Sequence, residues 1–272
     1  MDLITTLWVG EELPRIPRLC LKSHLDHGFH MQLYVYPHLF KDENKVPAGC
    51  EIKNAEDILP SCMLYKQKSF NSWAPFVDMW RLAYALKHGG VIMDLDFICL
   101  RPWTPSEHWG YREAGERVIF GLMNFPAKHQ LMQDLLLMRL FPDCIEEQAL
   151  WVQQYHADLF NAANKNKPWK ERMIGKNYLY ASSPCFYTGV KYYGLMDKTA
   201  ELMCLRYFPS HVWKRLYDGS VHIDDPDLKK CPELHLHGHR IFSYGNQKMQ
   251  QEAAPDSVFL KLWTKHFDYG ED

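Results

Sequence analysis

The segment Asp78-Met-Trp-Arg81-Leu-Ala-Tyr-Ala-Leu-Lys-His-Gly89-Gly90-Val-Ile-Met-Asp94-Leu-Asp96 constrains this chain more than any other. Phe76, Trp80, Ala83 and Leu86 recur at helical spacing, which predicts a helix over 75–88 with an apolar stripe packed on a sheet. Pro75 suits the first turn of that helix, and Gly89-Gly90 stops it. Residues 91–93 then read as a short buried strand with two carboxylates at its carboxyl end. Residues two apart on a strand point the same way, so Asp94 and Asp96 are expected to converge. Convergent carboxylates suit a hard divalent cation that grips phosphates. The double glycine would let backbone approach such a ligand closely. The plainer alternative is a pair of strand-end carboxylates that cap a turn.

The flanking chain supplies an α/β pattern. Residues 4–9 are a β-rich run, 19–27 have helical spacing ended by Gly28, and 31–36 form a second apolar run closed by Pro37. Strand, helix, strand in that order favours a parallel βαβ unit. Further on, 44–49 read as loop, 55–59 as a helical turn and 118–123 as a strand. Helices are expected over 127–140 and 146–163, a polar loop over 161–170, and late strands at 178–181 and 233–237. No repeat or Pro/Gly/Ser linker divides the 272 residues, so one continuous α/β domain is expected, more irregular towards its carboxyl end.

Composition excludes some classes. With 47% hydrophobic and 24% charged residues and a formal charge of −2, nothing marks nucleic acid as a partner. No basic region precedes the first apolar run, and no apolar stretch reaches the ~18 residues of a membrane span, so neither a signal peptide nor an anchor is expected. The eight cysteines form no Cys-x-x-Cys pair, and no Asn-x-Ser/Thr sequon occurs. Buried free thiols and a cytoplasmic location follow as expectations.

The spacing Asp78-x-x-Arg81 … Gly89-Gly90-x-x-x-Asp94-x-Asp96 resembles the DXD-containing sugar transferases. That group includes polysaccharide-biosynthesis transferases, initiating mannosyltransferases and glucosylating cytotoxins. Trp8-Val-Gly10 resembles the family's amino-terminal Trp-x-Gly, and the likeness fades beyond about Pro126. The resemblance implies a GT-A-type α/β fold: a nucleotide-sugar-binding domain with a mixed, mostly parallel central sheet flanked by helices. Residues 1–125 would bind the donor, and 126–272 would face the acceptor and complete the metal site. It implies that Asp96 ligates Mn²⁺ or Mg²⁺ and that Asp94 touches the ribose and the metal's water shell. The same likeness gives Asp78 and Arg81 the donor-sugar hydroxyls, and Trp8 the stack on uracil. Gly89 and Gly90 belong to the donor-binding motif. Read from the residues alone, Asp78 and Arg81 are better explained by a surface ion pair, and Trp8 by core packing.

The remaining assignments are looser. His235-Leu-His237-Gly-His239 alternates histidines at a late strand end, and His237 or His239 is the expected completing ligand; satisfied strand histidines are the alternative. Asn124 and Gln148 are acceptor-side candidates, and Glu147 is a candidate catalytic carboxylate that could equally be an exposed helix residue. Where many relatives carry an aromatic residue two positions before the first motif Asp, this chain has Ile92.

The expected activity is transfer of a hexose from a nucleoside diphosphate, foremost UDP, to a glycan hydroxyl, with retention as the resemblance implies. Cell-surface polysaccharide synthesis is the expected setting, with a protein acceptor and peripheral membrane association left open. Two rivals stand beside it. A haloacid-dehalogenase-type phosphatase also ends a strand in Asp-x-Asp, but it continues Gly-Thr where this chain has Phe97-Ile98. A non-catalytic nucleotide-sugar-binding protein would keep the same motif.

Overall fold

From Ile4 onward the first strand is buried on both faces, as a strand inside a parallel sheet must be. The computed structural model describes residues 2–67, 71–112, 117–141, 144–159, 183–208, 214–236 and 253–267. Its elements begin β1 (Leu3–Leu7), α1 (Arg15–Asp26), β2 (His30–Val35), β3 (Glu51–Asn54), α2 (Ala74–His88) and β4 (Gly90–Met93). They continue β5 (Phe97–Cys99), β6 (Gly110–Arg112), β7 (Val118–Phe125), α3 (Gln130–Leu140) and α4 (Leu150–Leu159). The last described are α5 (Ser183–Tyr192), β8 (Thr199–Glu201), α6 (Met203–Tyr207), β9 (Glu233–His235) and α7 (Val258–His266).

Two compact units interleave along the chain, one of residues 1–54, 93–105 and 201–272, the other of 55–92 and 106–200. In the first, β1 pairs with β2 and β2 with β3, both parallel, in the order β3-β2-β1. The expected βαβ unit is therefore present. Its helix starts before residue 19 because Pro17 falls in the first turn, where a missing N–H costs nothing. Ile16, Leu19, Cys20 and Ser23 form part of the buried face of α1. β5 and β9 pair antiparallel, with Phe97 opposite His235 and Cys99 opposite Glu233. Helix α7 is tied to α1, with His266 Nδ1 2.7 Å from Asp26 Oδ2 and the Arg15 and Arg18 guanidinium groups 4.4 and 5.0 Å from the Trp263 ring.

In the second unit the strand order is β4-β7-β6-β8, with β6 and β7 antiparallel and a bulge between Gly110 and Tyr111. Helix α2 buries Phe76 and Trp80 of the expected stripe, whereas Ala83 and Leu86 are only half-buried; Met79, Leu82, Asp78 and Arg81 are buried as well. The class is α/β, with mixed strand pairing and helices packed on strands.

Several boundaries differ from expectation. Strand β7 continues to Phe125, α3 starts at Gln130 because His129 caps it, and α4 starts at Leu150 after a 3₁₀ turn at Ile145–Glu147. The late strand at 233 closes at His235. The expected loop at 161–170 and strand at 178–181 lie outside the described residues. All eight cysteines are free, yet Cys62 and Cys144 are exposed rather than buried.

Candidate active site

The last turn of α2 carries Lys87 and His88, which suit a helix carboxyl terminus, and Gly89 follows with φ 70° and ψ −165°. That backbone region is essentially reserved for glycine. A Cβ on Gly89 would lie 2.5 Å from Ala127 N and 2.7 Å from Phe125 O, so it is protein backbone that approaches this glycine. Gly90, with φ 89°, has no atom within 4 Å of the corresponding position.

β4 buries Val91, Ile92 and Met93 and ends there. Asp94 is half-buried and Asp96 is buried in the turn that leads to β5. Strand alternation therefore does not govern the two carboxylates, contrary to the reading of 94 and 96 as strand residues. Their placement comes from the turn and from what grips it. The Asp96 carbonyl accepts Leu236 N–H at 2.8 Å, and the Leu236 carbonyl accepts the Tyr217 hydroxyl at 3.1 Å. From below, Ser23 Oγ accepts Cys99 N–H at 3.1 Å and donates to the Cys20 carbonyl at 3.0 Å. Cys20 Sγ lies 3.8 Å from the Asp94 carbonyl. Burial first, and then the Asp96 charge, push both the Cys20 thiol and the Tyr217 phenol well above their usual pKa values.

His235 brings an imidazole to Asp96. Its Nε2 lies 3.0 Å from Asp96 Oδ2, and its ring stacks on Phe97 with centroids 4.5 Å apart and planes within 6°. The expected histidines His237 and His239 lie outside the described residues. The pairing of β9 with β5 is what brings residue 235 to Asp96, and one late strand cannot announce its partner in the sequence.

A divalent cation has a suitable donor set here without a complete protein cage. Among the described residues no three His, Cys, Asp or Glu side chains are grouped to hold a metal ion. Hard cations of the Mg²⁺ type are commonly held by one or two carboxylates, with waters and substrate phosphates completing the shell. Asp96, with Asp94 beside it in the turn and an imidazole nitrogen against its carboxylate, fits that pattern.

Trp8 follows β1 in the same unit. Its indole Nε1 donates to the Glu12 carbonyl at 2.8 Å, and the ring is partly exposed. A Cβ on Gly10 would lie 3.1 Å from Nε1, so the missing side chain makes room for the indole on its own loop.

The other unit holds the remaining candidates. Asp78 and Arg81 are 5% and 4% exposed, so the surface ion pair is excluded. Arg81 Nη2 donates to Asp78 Oδ1, and its Nη1 to the Phe120 carbonyl at 3.1 Å. Asn124 donates its amide to the Ser106 carbonyl at 2.9 Å. Glu147 is exposed on its 3₁₀ turn, and Gln148 donates to the Phe141 carbonyl at 2.7 Å.

Residues 29–115 match the family described as the glycosyltransferase sugar-binding region containing a DXD motif. The match spans Asp78, Arg81, Gly89, Gly90, Asp94 and Asp96, the residues that carry the resemblance in the sequence. The likeness to a glycosyltransferase sugar-binding region therefore covers residues 29–115, about a third of the chain.

No curated protein matches the chain. Among solved structures it is similar to the PaToxG glycosyltransferase, at 15% identity over 72% of this chain and 69% of that one, with a TM-score of 0.46. A second is the ligand-free glycosyltransferase domain from the YGT toxin, at 10% identity over 74% and 79%, with a TM-score of 0.46. A third is the galactosyltransferase LgtC in complex with donor and acceptor sugar analogs, at 11% identity over 99% and 98%, with a TM-score of 0.40. None of these likenesses reaches a TM-score of 0.5, and none carries an inference about this chain.

Proposed function

We propose that the chain is a metal-dependent glycosyltransferase that moves a hexose from UDP to a glycan hydroxyl, with retention, in cell-surface polysaccharide synthesis. The observation that carries the reading is the buried Asp96 carboxylate, held in the turn before β5 with His235 Nε2 3.0 Å away. A bound Mn²⁺ or Mg²⁺ would neutralise charge on the donor diphosphate as it leaves.

The residues have separate tasks in this reading. Asp96 holds the cation, Asp94 faces the ribose and the metal's water, and His235 takes the completing place first expected of His237 or His239. Trp8 offers its partly exposed indole to the nucleobase. Asp78 and Arg81 take the sugar hydroxyls. Asn124 and Gln148 stand as acceptor-side residues, and Glu147 as the candidate catalytic carboxylate. The whole chain acts as one transferase domain.

Eight free cysteines favour a reducing compartment, the cytoplasm. Among the described residues no helix is long and apolar enough to cross a membrane.

The test is hydrolysis of UDP-, GDP- and ADP-sugars with and without manganese, which needs no knowledge of the acceptor. Release of sugar only with metal, lost in Asp96→Asn, supports the reading. Rapid phosphate release from phosphomonoesters would overturn it in favour of a phosphatase.

A further inference from the structure

Helix α3 ends with a single basic side chain, Arg139, in its last turn. An arginine there ordinarily reaches for solvent along the helix end, yet Arg139 is 0% exposed. Its Nη1 donates to the Pro75 carbonyl at 3.0 Å, and its Nη2 lies 3.4 Å from Asp78 Oδ2. The other carboxylate oxygen of Asp78 accepts from Arg81. Both guanidinium groups face the Phe120 ring, at 4.9 Å for Arg81 and 5.7 Å for Arg139.

Asp78 and Arg81 already balance each other in charge. A second buried arginine adds a cation that the pair does not need, at a desolvation cost of several kcal/mol. What it adds is geometry. With one guanidinium on each oxygen, the Asp78 carboxylate is fixed in rotation. Pro75 lies in the first turn of α2, so Arg139 also ties that carboxylate to the start of its own helix. At 3.4 Å the second contact is long for a charge-assisted bond, which leaves Oδ2 lone pairs for a further donor.

We infer that Arg139 is a positioning residue for donor-sugar recognition: it orients Asp78 to accept hydrogen bonds from sugar hydroxyls. This rests on the proposal that Asp78 and Arg81 contact the donor sugar. Arg139 itself touches no substrate. Its loss should therefore affect the sugar's share of donor binding and spare the nucleotide's share, which a merely structural role would not do.

The experiment measures binding, with manganese present, of UDP, GDP and ADP and of their glucose, galactose, mannose and N-acetylglucosamine esters. The full chain is compared with Arg139→Met and Arg139→Lys, using the nucleotide and ester that the unaltered chain binds best. Arg139→Met should bind the nucleotide within about twofold of the unaltered chain and the ester about tenfold more weakly, the scale of one hydrogen bond to a charged group. Arg139→Lys should recover part of the loss, because one ammonium cannot serve Pro75 and Asp78 with the same fork. Equal weakening of nucleotide and ester, or no change in either, overturns the inference while leaving the donor reading intact. If Arg139→Met does not fold, the same ratio in Arg139→Lys decides. An unaltered chain that binds no nucleotide in the panel overturns the donor reading and this inference with it.

Discussion

Replacing Gly89 by alanine tests whether the turn that launches β4 is held by packing or kept open for a ligand. At φ 70° and ψ −165° an alanine pays about 1–3 kcal/mol in backbone strain. Its Cβ would also stand 2.5 Å from Ala127 N and 2.7 Å from Phe125 O. Both are backbone atoms, and the adjoining Lys128 N–H is bonded to the Leu86 carbonyl at 2.8 Å, so neither can swing away as a side-chain tip could. Forced overpacking of this kind adds about 1–3 kcal/mol. The sum centres near 4 kcal/mol, a large part of the ~5–15 kcal/mol that holds a domain folded. Gly90→Ala is the matched control. It meets no atom within 4 Å at φ 89°, and the backbone term alone should cost about 1–2 kcal/mol. Urea unfolding followed by circular dichroism, without nucleotide, should place Gly89→Ala about 2–3 kcal/mol below Gly90→Ala, most of it from overpacking. Equal destabilisation of the two variants would refute the packing argument. A Gly89→Ala protein of unaltered stability that loses nucleotide affinity would return this glycine to the phosphate role first expected of it.

Two further outcomes follow from the same unit as Asp96. Burial raises the Glu233 carboxyl from the usual 4.5 to about 7, so between those values the folded chain keeps a proton that the unfolded chain has released. For this group stability is greatest below pH 4.5, declines as pH rises, and levels off above about pH 7. Glu233→Gln should flatten that decline in unfolding midpoints measured across the window; an unchanged slope would contradict it. His235→Ala removes both the nitrogen against Asp96 and the ring stacked on Phe97, and should raise the manganese concentration for half-maximal hydrolysis about tenfold or more. An unmoved manganese midpoint would reduce His235 to strand packing.

Long apolar periodicities are legible in the amino-acid sequence itself. The β1-α1-β2 unit and the α2-Gly-Gly-β4 passage appear where spacing and punctuation predict them, because each encodes its own period and its own stop. Three-residue strands such as β5, β6 and β9 are illegible or blurred, since too few residues repeat to show alternation. Strand β9 matters most among these, for its pairing with β5 selects His235 from three histidines at equal spacing. Asp94 and Asp96 are legible as a pair but not as turn residues. Nothing at position 139 distinguishes a buried arginine from one at the solvated end of a helix; only the three-dimensional meeting of α3 with Asp78 does. Asp78 and Arg81 carry the same lesson, because three-apart charges on a helix predict a pair but not its burial.

In the proposed function Asp96 serves a cation in sugar transfer. Its most direct test is manganese-dependent hydrolysis of UDP-, GDP- and ADP-sugars by the unaltered chain and by Asp96→Asn, an isosteric change that keeps the turn. The unaltered chain should hydrolyse at least one donor, only with metal, and the variant should fall by at least about a hundredfold, the scale of losing one charge-stabilising group. Full metal-dependent activity in Asp96→Asn would contradict it.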